Sequence, residues 1–540
     1  MAPRRTRPTH TSHRWSRPSS ILRVLVSTTL TLLLVFGVLA APLASAAVAC
    51  SFDAGTGVVT ITFADGDDVT IERSGDDIVV NGATCTGATV TTTDTIWILE
   101  SGPGGEDLAS LTIDMSGGPF APGKTDEGDG SSEIEFLTGD QQDVDGDRMT
   151  LGSVTIVGTP GNDTILVGVI DEGGYSPIDL NGDEETLDWD IPGFGVDGAD
   201  LDTPPAVDGG AGDDDLRAGG HSPGAAGSSL VLRGGPGDDT LMGGDLHDEI
   251  DGGPGTDTIA TVVEAWIDLA AGVATTKGGG GGSDAVSGVE NILGSEGRDF
   301  LTGDDGPNRI DGAGGNWDVI AGGGGDDHLI GGDGTIDTAD FSAATNGVDV
   351  DVVQGTATGE GNDTIEGIEW VLGSPYDDHV ISAPWVYWVH AGDGDDVVRP
   401  VAPNVVYGEG GIDTLDLSAA TGSVSAVLST GDLRIDGQSA GAEDFENAIG
   451  SRFADDIIGT PDPNRIQSGH GADVVYGSGG EDVLLGKRGA DTLDGADGRD
   501  EVYGGRGNDR VSGGRGIDTC IGGPGEDTLD LCEILKRPAA

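Results

Sequence analysis

The chain has 540 residues, 98 of them glycine, and sets 95 acidic against 26 basic side chains for a formal net charge of −69. Nucleic acid is excluded as a partner, because binding it requires Lys and Arg to neutralise phosphates; cations are the natural complement of such a chain. High charge with few aromatics also fits plain disorder, but the apolar residues recur in register with the acidic ones, which disorder does not require.

At the N-terminus, Arg4, Arg5, Arg7, Arg14, Arg17 and Arg23 precede or begin the apolar stretch "VLVSTTLTLLLVFGVLAAPLASA", which closes on Ala44-Ser45-Ala46. A basic region, an apolar core and a small-residue site predict a signal peptide over 1–46, in preference to an uncleaved anchor from Val24 to Ala41. The expected product is extracellular, has no membrane span after cleavage, and carries −75 rather than −69, because six arginines and no acid are removed. Export also implies oxidised cysteines. Four cysteines allow three connectivities, and their clustering at opposite ends favours Cys50 with Cys85 and Cys520 with Cys532.

Residues 47–157 alternate β-branched residues with Asp-Gly turns, as in "GVVTITFADGDDVTIERSGDDIVVNG". This hairpin pattern predicts a small disulfide-stapled β cap. "GPFAPGKT", Gly118 to Thr125, matches the phosphate-loop pattern, but "DEGDGSS" follows it, so no helix can start there and no nucleotide is expected. The acidic turns "DVDGDRM" at 143 and "DLNGDEE" at 179 resemble cation loops without EF-hand spacing; the second falls in an acidic insert, 168–208, of the repeat region 158–260. "GHSPG", Gly220 to Gly224, matches the G-x-S-x-G elbow, with His221 or His247 as a conceivable base. It lacks the strand before and helix after that would expose Ser222. A hydrolase built on Ser222 is therefore the least favoured reading, and no catalytic domain is expected.

Nonapeptides dominate the remainder. Nine in tandem, starting at Gly450, make up 450–532 together with a C-terminal disulfide cap, with sixth residues Asp455, Asn464, Asp473, Asp482, Asp491, Asp500, Asp509, Asp518 and Asp527. The eighth residues are Ile457, Ile466, Val475, Leu484, Leu493, Val502, Val511, Cys520 and Leu529, so acid and apolar residue keep one register. Less regular copies place sixth-position acids at Asp163, Asp214, Asp239, Asp248, Asp257, Asp299, Asp327, Asp378, Asp396 and Asp413. Asn464 replaces the acid, and one-residue insertions put Asp318 and Asp337 out of phase, so none of these three is counted as a ligand. Over 261–449 a second period of about 78 residues appears, with Gly-Ser closures at 294, 373 and 450. Its more hydrophobic stretches are expected to form wider coils, in which Glu290, Glu369 and Glu446 are solvated or ion-paired.

Neither a helix nor a single strand lines up every ninth residue, since both put successive aspartates on opposite sides. Glycine-rich turns alternating with x-apolar-x strands do so if two nonads make one coil: repeat i then stacks on repeat i+2, and the acids form two columns. Stacked carboxylates about 4.8 Å apart repel and need a cation. Calcium fits best, because it accepts six to eight oxygen ligands in flexible geometry, whereas magnesium demands an octahedron and zinc wants His or Cys.

The unit GGxGxDxUx, with U apolar, resembles the repeat of the RTX, or haemolysin-type calcium-binding, family over most of 158–530. The resemblance implies an all-β fold, a parallel β-roll in stacked blocks, with several calcium ions held between turns by the sixth-position aspartates and neighbouring carbonyls. The expected function is a secreted calcium-binding protein that folds on meeting extracellular calcium. A cell-surface adhesin or matrix rod is the alternative, its surface partner unspecified. Residues 533–540 form a tail.

Overall fold

A computed structural model of the chain describes residues 48–535 except 56, 64–66, 94, 101–109, 119–134, 139–153, 159, 162–163, 168–174, 180–188, 193–203, 219–228, 245–246 and 278–281. All of these lie in one compact unit, Ala46–Ala540. The signal-peptide segment, Asp163, Ser222, His221 and nearly all of "GPFAPGKT" fall outside the described residues.

Short strands stack into two large sheets, and one single-turn 3-10 element is the only helix among the described residues. No helix there is long and apolar enough to cross a membrane. In the last block each strand pairs in parallel with the strand two nonads on. Val474–Tyr476 pairs with Thr492–Asp494, then Arg510–Ser512, then Thr528–Asp530; the other sheet runs Arg465–Gln467, Val483–Leu485, Glu501–Tyr503, Thr519–Ile521. The eighteen-residue coil and its parity are thus as the nonad spacing requires. Every tandem eighth residue from Ile457 to Cys520 is buried between the sheets, at most 1% exposed, and each contributes about 2 kcal/mol of apolar burial. Its strand neighbours at positions seven and nine are more exposed, apart from the buried Ser512 and Thr519.

The N-terminal strands join the same two sheets. Ala49–Asp53 and Val58–Phe63 form a hairpin, as do Asp68–Ser74 and Asp77–Val80, and Cys50 is bonded to Cys85 with Cα atoms 5.7 Å apart. Val58–Phe63 then pairs in parallel with Thr95–Glu100, and Asp68–Ser74 with Ser110–Asp114. One continuous core runs from Val59 to Cys520, whose disulfide to Cys532 spans 5.9 Å between Cα atoms.

The stretches expected to be wider coils are three-stranded meanders. In the first, Val273–Thr276 runs antiparallel to both Ala265–Asp268 and Asp284–Ser287. Asp284–Ser287 stacks on the coil before it, and Ala265–Asp268 on the coil after it. Asp349–Glu366 and Val424–Glu443 repeat the plan. In each, a left-handed glycine turns the first strand into the second: Gly272, Gly355 or Gly431, with φ of 67°, 69° and 71°.

Candidate metal centre

The fourth glycine of the nonad has no room for a side chain. Gly507 sits at φ 148°, and a Cβ there would collide with the carbonyl oxygen of Gly489 in the coil before. The first glycine faces the acid: a Cβ on Gly504 would lie 2.6 Å from Asp509 Oδ2 and 2.6 Å from the carbonyl oxygen of Gly522. A carboxylate oxygen and a main-chain carbonyl from the next coil therefore close on the same small space.

The sixth-position acids form two files. Oδ1 of each accepts the main-chain N–H of the acid one coil earlier. On one edge Asp455 donates to Asp473, Asp473 to Asp491, Asp491 to Asp509 and Asp509 to Asp527, all at 3.0 Å. On the other, Asn464 donates to Asp482 at 2.8 Å, Asp482 to Asp500 at 3.0 Å and Asp500 to Asp518 at 2.9 Å. Earlier blocks repeat this through Asp214, Asp239 and Asp257, through Asn308 and Asp327, and through Asp378, Asp396 and Asp413.

The second oxygen divides the acids into two classes. In Asp239, Asp257, Asp327, Asp396, Asp413, Asp473, Asp482, Asp491, Asp500, Asp509 and Asp518 the buried Oδ2 accepts no hydrogen bond. In Asp299, Asp378 and Asp455 it is supplied by the serine of the Gly-Ser closure: the N–H groups of Ser295, Ser374 and Ser451 donate to it at 2.7, 2.6 and 2.6 Å, and their hydroxyls reach the same carboxylates. Asp248 resembles these, with Gly244 N–H donating to Oδ2 at 2.7 Å. Asp527 closes its file half-buried.

At two positions an amide replaces the open carboxylate. Asn308 Nδ2 donates to the carbonyl of Glu290, and Asn464 Nδ2 to that of Glu446, both at 2.7 Å. Each Oδ1 accepts an N–H from its own turn, Asp304 or Thr460. In both turns the asparagine Oδ1, already supplied by that N–H, takes the place that the open Oδ2 takes in neighbouring turns.

Several column members escape a strict nonapeptide template. Asp318 and Asp337 lie in the file despite the insertions: Asp299 N–H donates to Asp318 at 2.8 Å and Asp318 to Asp337 at 3.2 Å, and both keep a donorless Oδ2. The inserted residue is absorbed at left-handed φ just before the acid, in Trp317 and Ile336. Glu290, Glu369 and Glu446 do not simply face solvent. Their Oε2 atoms accept the N–H of Asp257, Asp337 and Asp413 at 2.9, 3.1 and 2.9 Å, and Glu533 does the same for Asp518 at 2.9 Å. Asp284 and Asp363 serve Asp248 and Asp327 likewise. The signal for all six was an acid followed two residues later by an apolar side chain.

Burial drives the electrostatics. It pushes the carboxyls of Asp318, Asp396, Asp482 and Asp491 up to about 7, and those of Asp257, Asp327, Asp413 and Asp500 to about 6; neighbouring acids add to the rise and the accepted N–H opposes it. Among the described residues no three acidic, histidine or cysteine side chains converge on one point. An ion here would thus draw most of its ligands from main-chain carbonyls, with a single carboxylate oxygen from the turn. That donor set, all hard oxygen and glycine-flexible, fits calcium.

Comparison with protein families matches the RTX calcium-binding nonapeptide repeat (4 copies) at residues 231–261, 284–316, 317–335, 449–484, 485–520 and 494–529. No curated protein matches the chain.

Proposed function

Because the chain carries RTX calcium-binding nonapeptide repeats between residues 231 and 529, we propose that it is a secreted protein whose β-roll folds on binding extracellular calcium. The donorless buried Oδ2 atoms, repeated along both edges of the roll, carry this reading. Calcium, when bound, supplies the positive charge that these carboxylates lack.

Asp473, Asp482, Asp491, Asp500, Asp509 and Asp518 hold the ions of the last block, together with main-chain carbonyls of the first-position residues one coil on, glycines except for Leu531 opposite Asp518. The serine-supplied Asp299, Asp378 and Asp455, and the amides Asn308 and Asn464, mark turns that fold without an ion. Before export, in low calcium, mutual repulsion among the acids keeps the chain extended. Outside, calcium at ~10⁻³ M removes that repulsion and lets the apolar eighth residues stack. The signal-peptide pattern at 1–46 supports export, and no catalytic role is assigned.

Far-UV circular dichroism of the exported chain during calcium titration tests the proposal. A rise in β signal with calcium and a much smaller one with magnesium is expected. No rise, or an equal one with magnesium, would sink it.

A further inference from the structure

Aromatic residues are only 4% of the chain, yet several crowd one outer face. Trp370 and Trp388 are cross-strand neighbours in one sheet, with ring centroids 5.4 Å apart. Val371 and Val389 between them point into the core, so the indoles face outward. Trp317 lies 6.3 Å from Trp370 and 6.4 Å from Trp388, and Tyr387 packs 5.7 Å from Trp388. On the next file His390 stacks on Tyr407 at 4.5 Å and 15°.

Two details set this cluster apart from ordinary surface packing. Trp317 holds a left-handed backbone, φ 74°, which a bulky residue adopts only under constraint, and it remains 42% exposed. It is the residue inserted into its nonad, so the irregularity that lengthens the turn also delivers this ring. Second, the indole Nε1 of Trp370 is buried in the cluster and has no hydrogen-bond partner. The exposed rings of Trp317 and Tyr387, with His390 held to Glu409 at 2.6 Å and Glu443 beside Tyr407, suit a ligand that stacks and donates hydrogen bonds.

We propose that this face binds an uncharged polysaccharide. A pyranose ring offers a face of C–H groups to an aromatic ring and a rim of hydroxyls that both donate and accept. Trp317, Trp370, Trp388 and Tyr387 provide the stacking faces, and Glu409 and Glu443 the acceptors for the sugar hydroxyls. A net charge of −69 disfavours anionic lipid surfaces and anionic polysaccharides. Calcium is not a ligand of this surface; the roll only presents it, so binding and calcium-driven folding are read out separately.

Affinity electrophoresis of the calcium-loaded protein through gels containing hydroxyethylcellulose, laminarin or galactomannan, against plain gels, provides the test. Retardation by at least one of the three is expected, weakened about ten-fold in Trp388→Ala and in Trp317→Gly. Tyr476→Ala, which removes an exposed ring from a distant coil, leaves it unchanged. Glycine suits the backbone at 317, so that variant keeps its fold, checked by circular dichroism in calcium, and decides the matter if Trp388→Ala does not fold. Three outcomes overturn the proposal: no retardation in any of the gels; equal retardation of variants and parent; or, in place of retardation, lipid-vesicle binding or self-association abolished by the same substitutions.

Discussion

The side-chain amide of Asn464 donates to the main-chain carbonyl of Glu446 at 2.7 Å, one coil away, whereas Asp482, the next member of the same file, has only carboxylate oxygens and accepts there the N–H of Asn464. One atom separates a turn that gives a hydrogen to the coil before it from one that only accepts there. In Asn464→Asp, Oδ1 still accepts from Thr460, and the residue's N–H still reaches Asp482, but Oδ2 faces the Glu446 carbonyl with no proton between them. Because Thr460 N–H still supplies the oxygen beside the Gly477 carbonyl, as the serines do at Asp299, Asp378 and Asp455, the variant is expected to bind no additional calcium by equilibrium dialysis. It should also lose about 1–3 kcal/mol of stability when calcium is stripped, the cost of a buried polar atom without a partner. One added ion per chain would refute the assignment.

The first glycine offers the converse experiment. In Gly504→Ala the new methyl occupies the space between Asp509 Oδ2 and the Gly522 carbonyl, 2.6 Å from each. It should remove one ion from the titration and raise the calcium concentration needed for folding, with an overpacking cost of about 1–3 kcal/mol. Gly437→Ala is the control. Its φ of 78° makes alanine unfavourable by about 1–2 kcal/mol, but nothing lies within 4 Å of the added Cβ, so the ion count should not change.

The coil itself was legible in the sequence because two constraints share one period: glycine at positions one and four, where a Cβ collides, and an apolar eighth residue that must reach the core. What set the second carboxylate oxygen was not legible at that level. Ser295, Ser374 and Ser451 read as punctuation of a 78-residue period, although their N–H groups decide the state of Asp299, Asp378 and Asp455. The meanders escaped for another reason: antiparallel strands and wider coils share the same alternation, and only the left-handed turns at Gly272, Gly355 and Gly431 distinguish them. The aromatic face is assembled from residues up to ninety positions apart, so only strand register brings Trp317, Trp388 and Tyr407 together.

Acidity should partly replace calcium. Asp482 and Asp491 ionise near 3.8 in an unfolded chain and near 7 when buried in the ion-free roll, with Asp500 near 6. A folded value above the unfolded one means that the roll holds protons the unfolded chain releases. Their contribution is therefore fully present below about pH 4 and is lost as pH rises through 6 to 7. Calcium-stripped protein should show more β signal at pH 5 than at pH 7.5. In calcium the trend reverses, because protons compete for the same oxygens: the midpoint of the calcium titration should fall as pH rises from 5.5 to 7.5. A midpoint independent of pH across that window would contradict these carboxylates being the ligands.

Glu446 decides whether the seam acids are structural. Its Oε2 accepts the N–H of Asp413 at 2.9 Å, and its own carbonyl receives the Asn464 amide, so it joins the 261–449 region to the tandem block. Glu446→Ala should leave the Asp413 N–H without an acceptor and cost about 1–3 kcal/mol, read as a lower urea midpoint in saturating calcium. Glu446→Gln retains a carbonyl oxygen of equal reach and should recover most of the loss. A merely solvated carboxylate would give three superimposable denaturation curves. Loss in both variants would assign the stabilisation to the charge of Glu446 rather than to its hydrogen bond.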